Sequence, residues 1–293
     1  MSSPLRRAIL IGSAILVFLI LVGATYQGVT TALERRRFPH PGPLVDVGGH
    51  QLHINCSGNG APTVLLEAPA LAMSSAWAWV QAEVAQTTRV CSYDRSGLGW
   101  SEMGDAPFTP RDVPVQLNAL ARGGGERGPF VVSGAELGAS FALLYASNYP
   151  DDTAALVLVN LPDPASRPAT EISGLASSPW LARTGLLRAM RTLSNDAAAL
   201  PADASGALTT FLNRPDHLTR AAAELARWDE VTVMANSAPQ RQTLPVTQVI
   251  IEGRDQIAIL ANRKNAQDVA AAIVRAVTFA RARSVAPRVV RVP

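Results

Sequence analysis

The stretch Phe130-Val131-Val132-Ser133-Gly134-Ala135-Glu136-Leu137-Gly138-Ala139-Ser140 decides how the rest of the chain is read. An apolar run gives way to small residues, then resumes at helical spacing through Leu137, Phe141, Leu144 and Tyr145. A strand that feeds a helix through Gly-x-X-x-Gly has the pattern of a nucleophile elbow, where glycines leave room for a sharp, strained turn. The central residue of such a turn is ordinarily Ser, Cys or Asp, whose side chain attacks a substrate. Here it is Glu136. The fold is legible in a segment from which the usual chemistry has been removed.

Outward from the elbow, the chain alternates short apolar runs with helical patterns. Leu44 to Val47, the turn Gly48-Gly49 and Gln51 to Cys56 read as a β-hairpin. Thr63 to Glu67 and Arg89 to Tyr93 read as buried strands, with helical patterns from Trp77 to Gln86 and from about Pro110 to Leu120. Downstream, Ala155 to Val159 and Pro245 to Ile251 read as strands, and Ala266 to Arg283 as a closing helix. Strands alternating with helices predict an α/β fold with a mostly parallel sheet covered on both faces. Between Leu161 and about Thr243 the chain is rich in Pro, Ala and Ser. Leu181, Leu186, Leu187, Met190 and Leu193 recur there at helical spacing, which predicts a helical cap inserted over the sheet.

Ala8 to Tyr26 is uncharged and dominated by Ile, Leu, Val and Ala. As a helix, roughly 19 residues at ~1.5 Å each reach about 28 Å, close to the hydrocarbon thickness of a bilayer. Val22-Gly23-Ala24 would also suit a signal-peptide cleavage site. The run is longer than the ~7–15 residue core of such signals, which favours an uncleaved transmembrane anchor. Arg6-Arg7 on one side and Arg35-Arg36-Arg37 on the other leave the orientation open. The expected organisation is a tail over 1–7, an anchor over 8–26, a linker over 27–42 and a core over 43–160. A cap over 161–243, the second part of the core over 244–283 and a tail over 284–293 complete it.

Twenty-six basic residues against 23 acidic ones leave a net charge of +3, and Lys264 is the only lysine. The arginines are scattered, with few aromatics among them, so no nucleic-acid partner is expected. Cys56 and Cys91 have no metal-ligand spacing and no CxxC pattern. Neither a metal nor a cofactor is expected.

Together these pieces resemble the α/β-hydrolase fold superfamily, and more narrowly a group of bacterial membrane-anchored α/β hydrolases. The likeness is carried by Pro43 to Gly49, Cys56-Ser57-Gly58, the run Cys91 to Ser101 and Tyr149-Pro150-Asp151 ahead of Leu156 to Val159. It implies a nucleophile at the elbow, a His base after the last strand, an acid to orient it, and two backbone N–H donors for an oxyanion. The nucleophile position holds Glu136. A carboxylate can attack carbon, as Asp does in dehalogenases and epoxide hydrolases of this fold, but the resulting ester still needs a base-activated water. The histidines are His40, His50, His53 and His217, so none follows the last strand. His217, in Pro215-Asp216-His217-Leu218, reads as a surface or capping residue rather than a relocated base.

Asp255 occupies the position expected of the acid, although another alignment places Asp255 or Gln256 where the family His belongs. Asp94 and Asp163 are fallback acids. The oxyanion donors implied are Ala68 and Leu137. The loop Glu67-Ala68-Pro69-Ala70-Leu71 stands where the family has a Gly-rich turn, and Pro69 cannot donate a hydrogen bond. The sheet order of the family places Glu67 and Glu136 at adjacent strand ends, where Glu67 serves either a structural role or the binding of a cation or amine. The same order makes the strands of Cys56 and Cys91 neighbours, which implies a disulfide and a domain outside the cytoplasm. The expected protein is membrane-anchored through its N-terminal helix and catalytically inactive, binding a small ligand or a protein partner. The competing reading is a hydrolase of small esters or lipids with a non-standard site.

Overall fold

The computed structural model describes residues 3–164, 178–190, 197–252 and 256–285. The apolar run and the charged stretch behind it form one helix, α1, Ser3–Arg37. It is long and apolar enough to cross a membrane, and its most apolar stretch is not buried against the rest of the chain. The stretch expected as a linker, 27–42, is helical as far as Arg37. Pro39 is the first proline after Pro4, so nothing in between forbids the helix from continuing. This outer end is docked on the domain, where the Gln27 side-chain amide donates to the Asn213 carbonyl at 2.8 Å.

The sheet has seven strands among the described residues: β1 (Leu44–Asp46), β2 (Gln51–Ser57), β3 (Val64–Glu67), β4 (Val90–Tyr93), β5 (Phe130–Ala135), β6 (Thr153–Val159) and β7 (Val246–Val249). Their order is β1-β2-β4-β3-β5-β6-β7. β1 and β2 form the expected hairpin, β2 runs antiparallel to β4, and every later pairing is parallel. The crossovers run through α2 (Ala78–Val84), α3 (Asp112–Gly123) and α4 (Leu137–Asn148).

Side-chain alternation along the central strands explains why they read as unbroken apolar runs. Val64, Leu66, Val131 and Val157 pack into one layer with Trp77, Val80 and Ile273. Their sequence neighbours Leu65, Val132 and Leu156 pack into the other with Leu117, Phe141 and Tyr145. Both faces are dry, as in parallel sheets covered on both sides. The first layer is closed by α10 (Gln256–Ala261) and α11 (Arg263–Val285).

Between β6 and β7 the described chain contributes five helices: α5 (Ser178–Arg183), α6 (Leu186–Met190), α7 (Ala202–Phe211), α8 (Pro215–Ala226) and α9 (Trp228–Ser237). α8 buries His217, Leu218, Ala221, Glu224 and Leu225, so this inserted face carries charge as well as hydrocarbon into the interior. Cys56 and Cys91 stand directly opposite each other in the β2–β4 register and are joined in a disulfide, their Cα atoms 4.0 Å apart.

Candidate functional site

β5 ends at Ala135 and α4 begins at Leu137, leaving Glu136 alone to turn the chain, with φ 50° and ψ −116°. A non-glycine residue held there costs ~1–3 kcal/mol, which the surrounding packing must impose. The two glycines show how. A Cβ on Gly134 would lie 2.2 Å from the Gly138 carbonyl oxygen. One on Gly138 would lie 2.4 Å from the carbonyl oxygen of Glu67 and 2.5 Å from that of Ala68. The first turn of α4 thus rests directly on the backbone of residues 67–68, so Ala68 and Leu137 come from touching segments. The Glu136 N–H donates to the Val159 carbonyl at 2.8 Å, and its side chain is half-buried.

β3 and β5 place Glu67 opposite Gly134. Glu67 is 1 % exposed, and both of its carboxylate oxygens are held inside the protein. The Tyr93 hydroxyl donates to one, and Arg95 Nη1 donates to the other at 2.7 Å. Arg95 is buried too. Its guanidinium also donates to the Ala68 carbonyl at 2.6 Å and the Pro69 carbonyl at 3.1 Å. From α8, Glu224 receives it bidentately through Nε at 3.0 Å and Nη2 at 2.8 Å, and Arg220 Nε adds a bond to Glu224 at 3.1 Å.

The titrations follow from this burial. Desolvation raises the Glu67 carboxyl above its ordinary value despite the attraction of Arg95, and it pushes the Tyr93 phenol well up. At Glu224 burial works the same way, but Arg95 and Arg220 outweigh it and hold the carboxyl below its ordinary value.

The loop from Glu67 to Ser74 is clamped further along. Asp94, fully buried, accepts from the Ser74 N–H at 2.6 Å and the Trp100 N–H at 3.0 Å. His217 Nε2 donates to the Leu71 carbonyl at 2.8 Å while Nδ1 accepts from the Gly99 N–H at 3.0 Å. His217 is therefore not the surface residue its sequence suggests. It is 1 % exposed, and burial lowers its pKa. With both ring nitrogens engaged it has no lone pair left to act as a base.

All four histidines lie among the described residues. His40 Nδ1 meets the Gly42 carbonyl at 2.6 Å, and His50 packs beside Gly104. His53 forms a histidine–carboxylate pair with Asp94 at 3.0 Å. Neither partner has any exposed side-chain surface. Burial raises the Asp94 carboxyl, but His53 and the two N–H donors outweigh it and hold it below its ordinary value. Of the other acids considered, Asp163 lies in the loop after β6, and Asp255 lies outside the described residues.

Cys56, Cys91 and Glu126 come close enough to suggest a metal cluster. The sulfurs are bonded to each other, however, and Glu126 accepts from Arg89 at 2.7 Å and Thr63 at 3.1 Å. Two open clefts, of about 480 and 720 Å³, flank Trp100, whose indole N–H donates to the Phe38 carbonyl at 3.0 Å. Glu136 lines neither of them.

No protein-family model matches the chain, and no curated protein matches it in sequence. Solved structures do. A thermophilic esterase from Thermogutta terrifontis aligns over 78% of this chain and 94% of its own, at 18% identity and a TM-score of 0.56. The enol-lactonase from Burkholderia xenovorans LB400 covers 80% and 100%, at 17% identity and 0.58. A membrane phospholipase A, described as a bacterial virulence factor, covers 95% and 99%, at 19% identity and 0.59. The chain has the α/β-hydrolase fold.

Within that fold, sequence reasoning did not pick out Tyr93, Arg95 or Glu224 as site residues, nor the pairing of His53 with Asp94. Arg95 and Glu224 are 129 positions apart, and no local pattern announces their pairing. A hint was available in α8, where Arg220 and Glu224 stand four residues apart on a face that also buries His217, Leu218, Ala221 and Leu225.

Proposed function

We propose that the protein is a membrane-anchored, non-catalytic member of the α/β-hydrolase fold that binds a small ligand or a protein partner. The observation that carries this reading is the state of the histidines. A Ser, Asp or Glu nucleophile needs a base, either to take its proton or to activate the water that releases the product. His217 has both ring nitrogens occupied, and His53 is sealed against Asp94. Glu136 at the nucleophile position and Pro69 in the oxyanion loop point the same way. The length and apolarity of α1 support the anchor, as does a likeness to a membrane phospholipase A that extends over 95% of the chain. The disulfide supports an oxidising compartment for the domain. The clefts beside Trp100 offer the room for a ligand.

One observation favours the competing reading of an unorthodox hydrolase. The elbow keeps its strained backbone, with a carboxylate where a nucleophile belongs. Treating the full-length protein with a fluorophosphonate probe and assaying a panel of short-chain esters separates the two. The proposal expects no labelling and no turnover above background. Labelling of one serine would overturn it, and Ser133 and Ser140, both fully buried, are nearest the elbow.

A further inference from the structure

α1 does not stand clear of the inserted helices. A Cβ on Gly23 would come within 2.1 Å of the Thr184 carbonyl oxygen, and one on Gly185 within 3.0 Å of the Gly23 carbonyl oxygen. Slightly further along α1, Arg188 donates to Gln27 at 3.0 Å and pairs with Glu34. Gly23 belongs to the apolar run that ends near Tyr26. With α1 spanning a membrane as proposed above, the turn joining α5 to α6 would lie at the depth where lipid chains give way to headgroups.

This edge of the insertion is apolar and exposed. Trp180 is 73 % exposed, Met190 60 %, Leu186 45 % and Leu181 36 %. The Arg183 guanidinium lies over the Trp180 ring, 5.1 Å from its centroid. Beside them an open cleft of about 780 Å³ runs between α1 and the insertion. Its walls include Ala24, Gly28 and Pro215, its charges are Arg35, Arg36 and Arg183, and no acidic residue lines it. Trp and Arg at such a depth suit the bilayer interface, where an amphipathic ring and a long cationic side chain can each reach two environments. Arginines lining a cleft with no acidic side chain in its walls complement the phosphates of anionic lipids.

With α1 read as a membrane span, as proposed above, we infer that the edge formed by Trp180, Leu181, Leu186 and Met190 is immersed in the interfacial layer of the bilayer. Anionic lipid headgroups occupy the cleft of Arg35, Arg36 and Arg183. The insertion is thereby held to the membrane at a second point, and the domain lies against the bilayer instead of swinging about its anchor.

Quenching by brominated lipids tests this in full-length protein reconstituted into vesicles of phosphatidylcholine with phosphatidylglycerol. The fluorescence of Trp180 is obtained as the difference between the unsubstituted protein and Trp180→Phe. Leu16→Trp in the Trp180→Phe background reports the anchor. Trp180 should be quenched best by bromines near the headgroup, and Trp at position 16 by bromines deep in the chains. Quenching at position 16 with none at Trp180 would overturn the immersed edge while leaving the anchor standing, and a second copy of the chain covering the patch would give that result. No quenching at either position would overturn the anchor itself. An arginine near an anionic surface is worth a factor of about five in the docked-to-undocked ratio. Arg183→Gln should weaken the quenching of Trp180 accordingly, and so should phosphatidylcholine alone. Quenching indifferent to both changes would overturn the headgroup site.

Discussion

The elbow and the loop that faces it are neighbours that have kept different things. At the elbow the backbone makes a sharp turn with a positive φ at its apex, and the side chain there is Glu136. In the loop from Glu67 to Ser74 the backbone carries Pro69, and three of its carbonyls, those of Ala68, Pro69 and Leu71, are engaged by Arg95 and His217. The difference separates what packing enforces from what chemistry enforces. The turn persists because Gly134 and Gly138 let a helix press on a strand end, which the core needs whether or not anything reacts there. Nothing in the core requires a serine at its apex.

The comparison breaks most readily at the glycines. Gly138→Val would drive a side chain into the backbone of Glu67 and Ala68. It should cost more than ~4 kcal/mol, at the far end of single-substitution effects, and prevent recovery of folded protein. Next is the clamp. Glu224→Ala leaves the buried Arg95 with one carboxylate instead of two, and should lower unfolding free energy by ~3–5 kcal/mol in a denaturant titration. A loss under ~1 kcal/mol would show that the network is solvated and does not tie α8 to the core. Replacing Cys56 and Cys91 together by Ala removes a cross-link between residues 35 positions apart and should cost ~3–4 kcal/mol.

A smaller effect follows from pH. The folded pKa of His217 lies below its ordinary value of 6.5, so the unfolded chain takes up a proton first as pH falls. Its contribution is complete above pH 6.5 and is lost as pH drops through the folded value, at up to ~1.4 kcal/mol per pH unit. Asp94 and Glu224, whose carboxyls are held low, act in the same direction further into acid. Glu67, whose carboxyl is raised, acts the other way as pH falls, so the share of His217 is the difference between the melting temperatures of the unsubstituted protein and His217→Gln measured downward from pH 7. His217→Gln should lose less on acidification, and two parallel profiles would contradict the neutral, doubly bonded ring.

Much of this was legible from the residues. Every strand sits within about three residues of its sequence reading, because buried parallel strands are short apolar runs between turn formers. The elbow was legible because its glycines are local. The disulfide came through family resemblance, since the β2–β4 pairing cannot be read from spacing. The clamp was not legible. Arg95 and Glu224 meet only after the insertion has folded back, and His217 finds its partners in two loops far from it in sequence. The outer end of α1, expected as part of a linker over 27–42, is helical and bound to Asn213 and Arg188.

The smallest structural change carries the most direct test. Glu136→Ser restores Gly-x-Ser-x-Gly at a turn whose geometry is already in place, and its stability should stay within ~1 kcal/mol of the unsubstituted protein, as for most substitutions without a core defect. Nucleophile and base act as a unit, so restoring one alone recovers almost nothing. Hydrolysis of short-chain esters by purified Glu136→Ser should match the buffer blank. Multiple turnovers by that single substitution would show that a base serves the elbow after all, and would contradict the non-catalytic reading.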